Sequence, residues 1–168
     1  MISTNNLTRR KISKIADQFR GEFAGRDKGL FLLAVSTGSR MTELLVLTIS
    51  DVYKNGKPAN YLRLNRDREI LQDVPCNKDD KKVIQSLIDW HIDRYGQIDT
   101  QRPLFPSRTG GGKMAVTSER SNEILRAAFK GAGLIDGTRN RNVSVRSLIS
   151  NLLKVANLVR YVLEWFSI

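Results

Sequence analysis

One cysteine, one histidine and four prolines are all that this sequence of 168 residues holds of those types. A single cysteine makes no internal disulfide, so no covalent staple closes the fold. Cys76 and His91 fall far short of the four-ligand sets that hold structural zinc, and neither an HExxH helix nor an EF-hand loop occurs. No metal or other cofactor is therefore expected. No run approaches the ~20 apolar residues that span a bilayer, the longest being Leu30 to Val35, which is the length of a helix core. The basic residues Arg9, Arg10, Lys11 and Lys14 lead into no apolar stretch, so no secretory signal is read. A cytoplasmic, nucleoid-associated protein without a membrane or small-molecule partner is the expectation.

What the sequence has in excess is positive charge. Lys and Arg number 28 against 17 Asp and Glu, a formal net charge of +11, while hydrophobic residues make up 40% and charged residues 27%. That balance fits one ordinary globular domain and excludes a disordered or fibrous chain. The excess sits at the two ends: residues 1–30 carry seven basic and three acidic side chains, 31–100 carry ten of each, and 101–168 carry eleven and four. Clustered basic residues favour a polyanion, because each phosphate neutralised releases counterions. The plain alternative is a soluble basic protein with no nucleic-acid role.

Periodicity gives the elements. Ile12, Ile15, Ala16, Phe19 and Phe23 recur at three and four, which predicts a first helix capped by Thr8 and reaching Phe23. A buried helix follows over Lys28 to Ser36 with Gly38 to end it, and a third over Met41 to Leu47. Between Val52 and Pro75 the pattern turns to short strands around the Asn55-Gly56 turn, which predicts an antiparallel sheet of two or three strands. Helices return over Asp79 to Tyr95, Thr117 to Ala132 and Ser144 to Ala156, with a last one from Leu158. The fold class is α+β, mainly helical, with helices around a small antiparallel sheet in a single domain, 1–168.

Several chemistries fail on inspection. Thr109-Gly110-Gly111-Gly112-Lys113 lacks the first glycine of a Walker A loop and the hydroxyl residue after its lysine, since Ser107 and Met114 stand there. It reads as a flexible surface turn. No GxSxG elbow exists, and His91, between Trp90 and Ile92, reads as a partly buried or surface histidine and not as a catalytic base.

Two arginines are harder to set aside. Arg40 follows an apolar helix and the corner Ser36-Thr37-Gly38-Ser39, with Glu43 one turn later on the same face, and Arg146 opens another apolar helix. A guanidinium at a helix start suits a phosphate, because its fork donates two hydrogen bonds and the helix end adds positive potential. For either residue taken alone, a structural salt bridge is the favoured reading.

The segment Leu33-Ala34-Val35-Ser36-Thr37-Gly38-Ser39-Arg40-Met41-Thr42-Glu43-Leu44-Leu45-Val46-Leu47, followed by Ser50-Asp51-Val52, resembles the first arginine box of the tyrosine recombinases, the phage integrase family. Pro103-Leu104-Phe105-Pro106-Ser107-Arg108, and the stretch from Asn122 to Leu134, are similar to the approach to the family's second box. There the family reads His-x-Leu-Arg and this chain reads Val143-Ser144-Val145-Arg146. The resemblance implies a recombinase catalytic-type domain that binds duplex DNA, with Arg40 and Arg146 on the non-bridging phosphate oxygens and Glu43 supporting. It further implies DNA contacts from Arg66, Arg68, Arg108, Lys113, Arg139 and Arg141.

The departures bear on strand cleavage. Val143 stands where the family has histidine, Ile168 aligns with the family's Gly-His position, and no lysine lies between Tyr61 and Pro75, only Arg63, Arg66 and Arg68. Arginine holds a phosphate well and donates a proton poorly. The family's nucleophilic tyrosine falls past Ile168, and Tyr161 reads as a packing residue. The expectation is a domain truncated before its tyrosine, without an N-terminal core-binding domain, for which DNA breakage and rejoining are inactive; a non-catalytic DNA-binding module is the alternative. The apolar group Val159, Val162, Leu163, Trp165, Phe166 and Ile168 also favours a homo-oligomer.

Overall fold

The computed structural model describes residues 4–67, 70–135, 145 and 147–152, with side chains from residue 9 onward except those of 66 and 67. Helix α1 (Thr4–Ala16) presents Ile12, Ile15 and Ala16 to the interior. It starts before Thr8 and stops well short of Phe23, which corrects the longer first helix expected from the periodicity. The helix tightens at its end, where the Gln18 N–H donates to the Ile15 carbonyl, and Gly21 takes a left-handed φ of 84°. Phe19 and Phe23 still reach the core, but from the turn that follows α1.

Helix α2 (Ala24–Thr37) is buried on most of its surface, as its run of apolar residues requires. Gly29 matters here, because a Cβ at that position would meet Leu87 at 2.4 Å. Glycine thus lets α2 lie directly against α5 (Lys78–Tyr95), the longest helix. At the start of α5 the Asn77 side chain accepts the Asp80 N–H at 2.9 Å, and the Asp80 carboxylate accepts the Asn77 N–H at 2.9 Å. Asp80 also accepts the hydroxyl of Ser36 at the end of α2, so one buried carboxylate ties together the two helix ends that frame the corner after α2.

That corner is sharp. Gly38 adopts φ 67° and donates its N–H to the Ala34 carbonyl, ending α2 in a left-handed cap. Two single-turn helices follow, α3 (Met41–Leu44) and α4 (Ile49–Val52), in place of the one helix expected to run on to Leu47. Thr48 interrupts it: its N–H donates to Asp51 at 2.7 Å and starts α4, while Leu47 bonds across to the Leu104 N–H at 2.8 Å.

Four strands make two separate hairpins. Strands β1 (Tyr53–Lys54) and β2 (Lys57–Pro58) flank Asn55 and Gly56, both at positive φ, which is the conformation an Asn-Gly turn supplies. Strands β3 (Tyr61–Asp67) and β4 (Ile70–Pro75) pair antiparallel, with an irregularity between Asn65 and Asp67. Leu62 and Leu64 point inward while Tyr61, Arg63 and Asn65 face out, an alternation that fits a half-buried ribbon. Helix α6 (Ser118–Gly131) begins at Thr117, whose side chain accepts the Arg120 N–H. The architecture is α+β with helix in the majority.

The core gathers Phe31 against Phe19 and, edge-on, Phe129, each at 6.0 Å between ring centroids. Leu30, Leu33, Leu44, Leu87 and Leu125 pack around them. Residues 147–152 are helical, and Val145, Ile149 and Leu152 are buried at helical spacing, so this stretch closes the core beside α3 and α6. Among the described residues no helix is long and apolar enough to cross a membrane.

Candidate functional site

The left-handed cap at Gly38 turns the chain so that Arg40 precedes α3 in extended conformation, φ −73° and ψ 151°. Hydroxyls brace the corner: Thr37 donates to the Leu33 carbonyl at 2.6 Å and lies 2.7 Å from the Ser39 hydroxyl. Glu43 is buried, and its carboxylate accepts the backbone N–H of Arg40 at 2.8 Å, while the Arg40 carbonyl accepts the Glu43 N–H at 3.0 Å. Its role is thus to fix the backbone on which Arg40 stands. The guanidinium of Arg40 is exposed, and among the described residues no carboxylate pairs with it.

Arg40 borders a cavity of about 350 Å³. The corner 38–42 forms one wall, Ser118 and Asn122 of α6 a second, and Ile149 and Ser150 a third. Backbone turn, helix start and the 147–152 helix thereby converge on one unpaired cation. Such a site suits a small oxyanion or a phosphate of a larger molecule: it offers a forked donor, neighbouring hydroxyls and an amide, and no carboxylate lines it among the described residues.

The other arginines and the lysine expected to touch DNA fall in different places. Arg66 belongs to β3 near the tip of the β3–β4 hairpin. Arg68, Arg139, Arg141 and Arg146 lie outside the described residues. Arg108 and Lys113 are exposed, but neither lines the Arg40 cavity. Arg63, on the outer face of β3, makes a forked pair with Asp73 across the hairpin, Nε to Oδ1 at 2.9 Å and Nη2 to Oδ2 at 3.3 Å.

His91 corrects the expectation of a partly buried or surface ring. It is fully buried; its Nε2 donates to the Leu104 carbonyl at 2.9 Å and its Nδ1 has no partner among the described residues. Burial holds its pKa below the ordinary value and the Arg102 charge adds to this, while the Leu104 bond opposes them. Trp90 and Tyr95 stand at the ring, at 5.0 and 5.8 Å, so it works as a packing residue between α5 and the segment that carries Leu104. The glycine run 110–112 is a short 3-10 turn with all three residues at positive φ, and Gly112 is buried against Tyr95, where a Cβ would come within 2.8 Å of the ring. That is tighter than a loose surface turn.

The charge that sequence reasoning missed is Arg26. It is 1% exposed; Nε and Nη2 both reach Asp27 Oδ1, at 2.8 and 2.7 Å, and Nη1 donates to the Pro106 carbonyl at 2.6 Å. Burial pushes the Asp27 carboxyl above its usual range against the pull of Arg26, and burial likewise lowers Arg26. An Arg-Asp pair opening an apolar helix is the signal that could have shown it. The Cys76 thiol is pushed up to about 11, chiefly by burial and then by Asp80, which leaves it protonated and unreactive at neutral pH. Among the described residues no group of His, Cys, Asp and Glu could hold a metal ion.

No protein-family model, no curated protein and no solved structure matches this chain.

Proposed function

We propose that this chain is a duplex-DNA-binding domain of the integrase type, which grips the sugar-phosphate backbone at the Arg40 cavity. The observation that carries the reading is an exposed guanidinium, paired with no carboxylate among the described residues, on a backbone fixed by Glu43 at the edge of a cavity of about 350 Å³. A net charge of +11 supplies the long-range attraction that a polyanion partner requires. The resemblance of residues 33–52 to the first arginine box of the tyrosine recombinases puts the same arginine on a phosphate, and the helix-rich α+β architecture is compatible with that family's catalytic domain. The helical residues 147–152 on the cavity wall follow Arg146 in the sequence, and in this reading its guanidinium is the second phosphate ligand.

The chemistry offered is binding, not strand cleavage. Two arginines stabilise charge on phosphorus, but Val143 moves no proton and Arg63, Arg66 and Arg68 stay protonated. Duplex binding by fluorescence anisotropy tests the reading. Arg40→Ala weakens binding by about 1–3 kcal/mol, the size of one charge-assisted contact, without loss of folded structure. A folded Arg40→Ala variant that binds like the parent refutes it.

A further inference from the structure

A second cluster of guanidiniums lies on the other side of the first turn of α6. Arg108 and Arg120 both line two adjoining cavities, of about 230 and 280 Å³. Arg26 borders the first, with the hydroxyl-bearing Ser107, Thr109 and Thr117; Arg20 borders the second. The carboxylates present are Asp27 and Glu123, and each already has an arginine: Asp27 binds Arg26, and Glu123 accepts from Arg120 at 2.7 Å. Four guanidiniums thus face two carboxylates.

The unneutralised pair is Arg20 and Arg108. Arg20 is exposed and fixed by donating to the Asp17 and Phe19 carbonyls. Arg108 pairs with no carboxylate among the described residues, and its guanidinium stands 5.4 Å from the centroid of the Phe23 ring. Arg108 and Arg120 are both near enough to Asp27 to favour its charged form, so the three charges occupy one neighbourhood. Two fixed cations in excess beside hydroxyls describe an anion site.

The position of the cluster says which anion. Thr117 and Arg120 border these cavities, while Ser118 and Asn122, on the opposite face at the start of α6, border the Arg40 cavity. A ligand with one negative group fills one site only, whereas a chain of phosphates a few ångströms apart reaches both. We propose that Arg20 and Arg108, the two guanidiniums without a carboxylate, form a second phosphate site with the Arg120–Glu123 pair beside them, so that a nucleic-acid backbone crosses the start of α6 and is held on either side of it. The identity of the polyanion rests on the function proposed above; the anion site itself does not.

The experiment is a salt series of duplex binding by the full chain, with Arg108→Gln, Arg20→Gln and, as a control on an exposed α5 lysine, Lys82→Gln. Each of the two arginine variants is expected to lower affinity roughly tenfold below 0.1 M salt and to reduce the log–log salt slope by about 0.9. Arg108→Lys keeps the charge and restores part of the affinity, and Lys82→Gln leaves the slope unchanged. If Arg40→Ala weakens binding while Arg108→Gln and Arg20→Gln match the parent, the second site is wrong and the Arg40 reading survives. If the parent binds no duplex, the Arg40 reading fails, and inorganic tripolyphosphate decides the second site alone. A rise in parental melting temperature that Arg108→Gln abolishes supports it, and no rise overturns it.

Discussion

Glu43 accepts the backbone N–H of Arg40 at 2.8 Å, and this bond fixes the chain at the point from which the Arg40 guanidinium leaves, paired with no carboxylate among the described residues. A carboxylate that is only 6% exposed thus orients a cation and does not neutralise it. The usual partner of an arginine three residues away would be the neighbouring side chain. Here the left-handed turn at Gly38 sends the guanidinium toward the cavity and the carboxylate back to the main chain.

Removing that carboxylate is expected to damage both stability and binding. Glu43→Ala leaves the Arg40 N–H without its acceptor and should cost about 1–2 kcal/mol in urea unfolding, the range for a lost helix cap. Glu43→Gln retains an acceptor oxygen and should recover most of that loss. If duplex affinity falls with Glu43→Ala and returns with Glu43→Gln, positioning is the cause; equal stability of all three proteins would show that the bond does nothing.

The Arg26–Asp27 pair should behave asymmetrically. Arg26→Met leaves Asp27 buried and uncompensated and frees the Pro106 carbonyl, so a loss of about 3–5 kcal/mol is expected. The double variant Arg26→Met, Asp27→Leu removes both charges and should be clearly more stable than Arg26→Met alone. Chemical denaturation of the two variants measures the difference, and an equal loss in both would contradict a buried ion pair at this position.

His91 gives a pH dependence of defined sign. Its folded pKa lies below the unfolded value of about 6.5, because burial disfavours the imidazolium. The neutral ring is the folded form, so its contribution is complete above pH 6.5 or so and is lost as pH falls below that point, where the unfolded chain binds the extra proton. The slope is at most about 1.4 kcal/mol per pH unit. Unfolding curves at pH 7.5 and pH 5.5 should separate more for the parent than for His91→Gln, whose amide can still donate to Leu104. Identical separation would remove His91 as the source.

On the binding reading proposed above, no strand cleavage is expected; Tyr161 lies outside the described residues. Tyr53 donates its hydroxyl to the Gly56 carbonyl and Tyr95 packs against His91 and Arg102, and none of Tyr53, Tyr61 and Tyr95 lines the Arg40 cavity. A nicked duplex incubated with the protein and run on a denaturing gel should show no covalent adduct, and an adduct mapped to any tyrosine would overturn this.

Local signals in the sequence carried much of the architecture. Gly38, Asn55-Gly56 and the Thr117 cap each specify a turn or helix end through residues a few positions apart, and each stands where its chemistry requires. What periodicity misjudged depended on distant contacts. Phe19 and Phe23 keep the helical spacing of α1 but are drawn into the core from a turn beyond it, and Thr48 breaks the third helix because Leu47 and Ile49 bond to the segment 102–104. His91 was misread because its partner, the Leu104 carbonyl, is 13 residues away; Arg26 has its ion-pair partner next to it in Asp27, but the burial of that pair depends on the Pro106 carbonyl, 80 residues away. Arg40 was legible because its turn, its helix start and its capping carboxylate all lie within six residues.

The most direct test of the central claim is the salt slope of duplex binding for the parent and for Arg40→Ala, measured on unrelated duplex sequences by fluorescence anisotropy. A phosphate held by Arg40 predicts a parental slope of several contacts that falls by about one in the variant, with weaker binding at every salt concentration. A slope unchanged by Arg40→Ala in a folded protein, or no parental binding at low salt despite a charge of +11, would contradict the assignment of this cavity to a DNA phosphate.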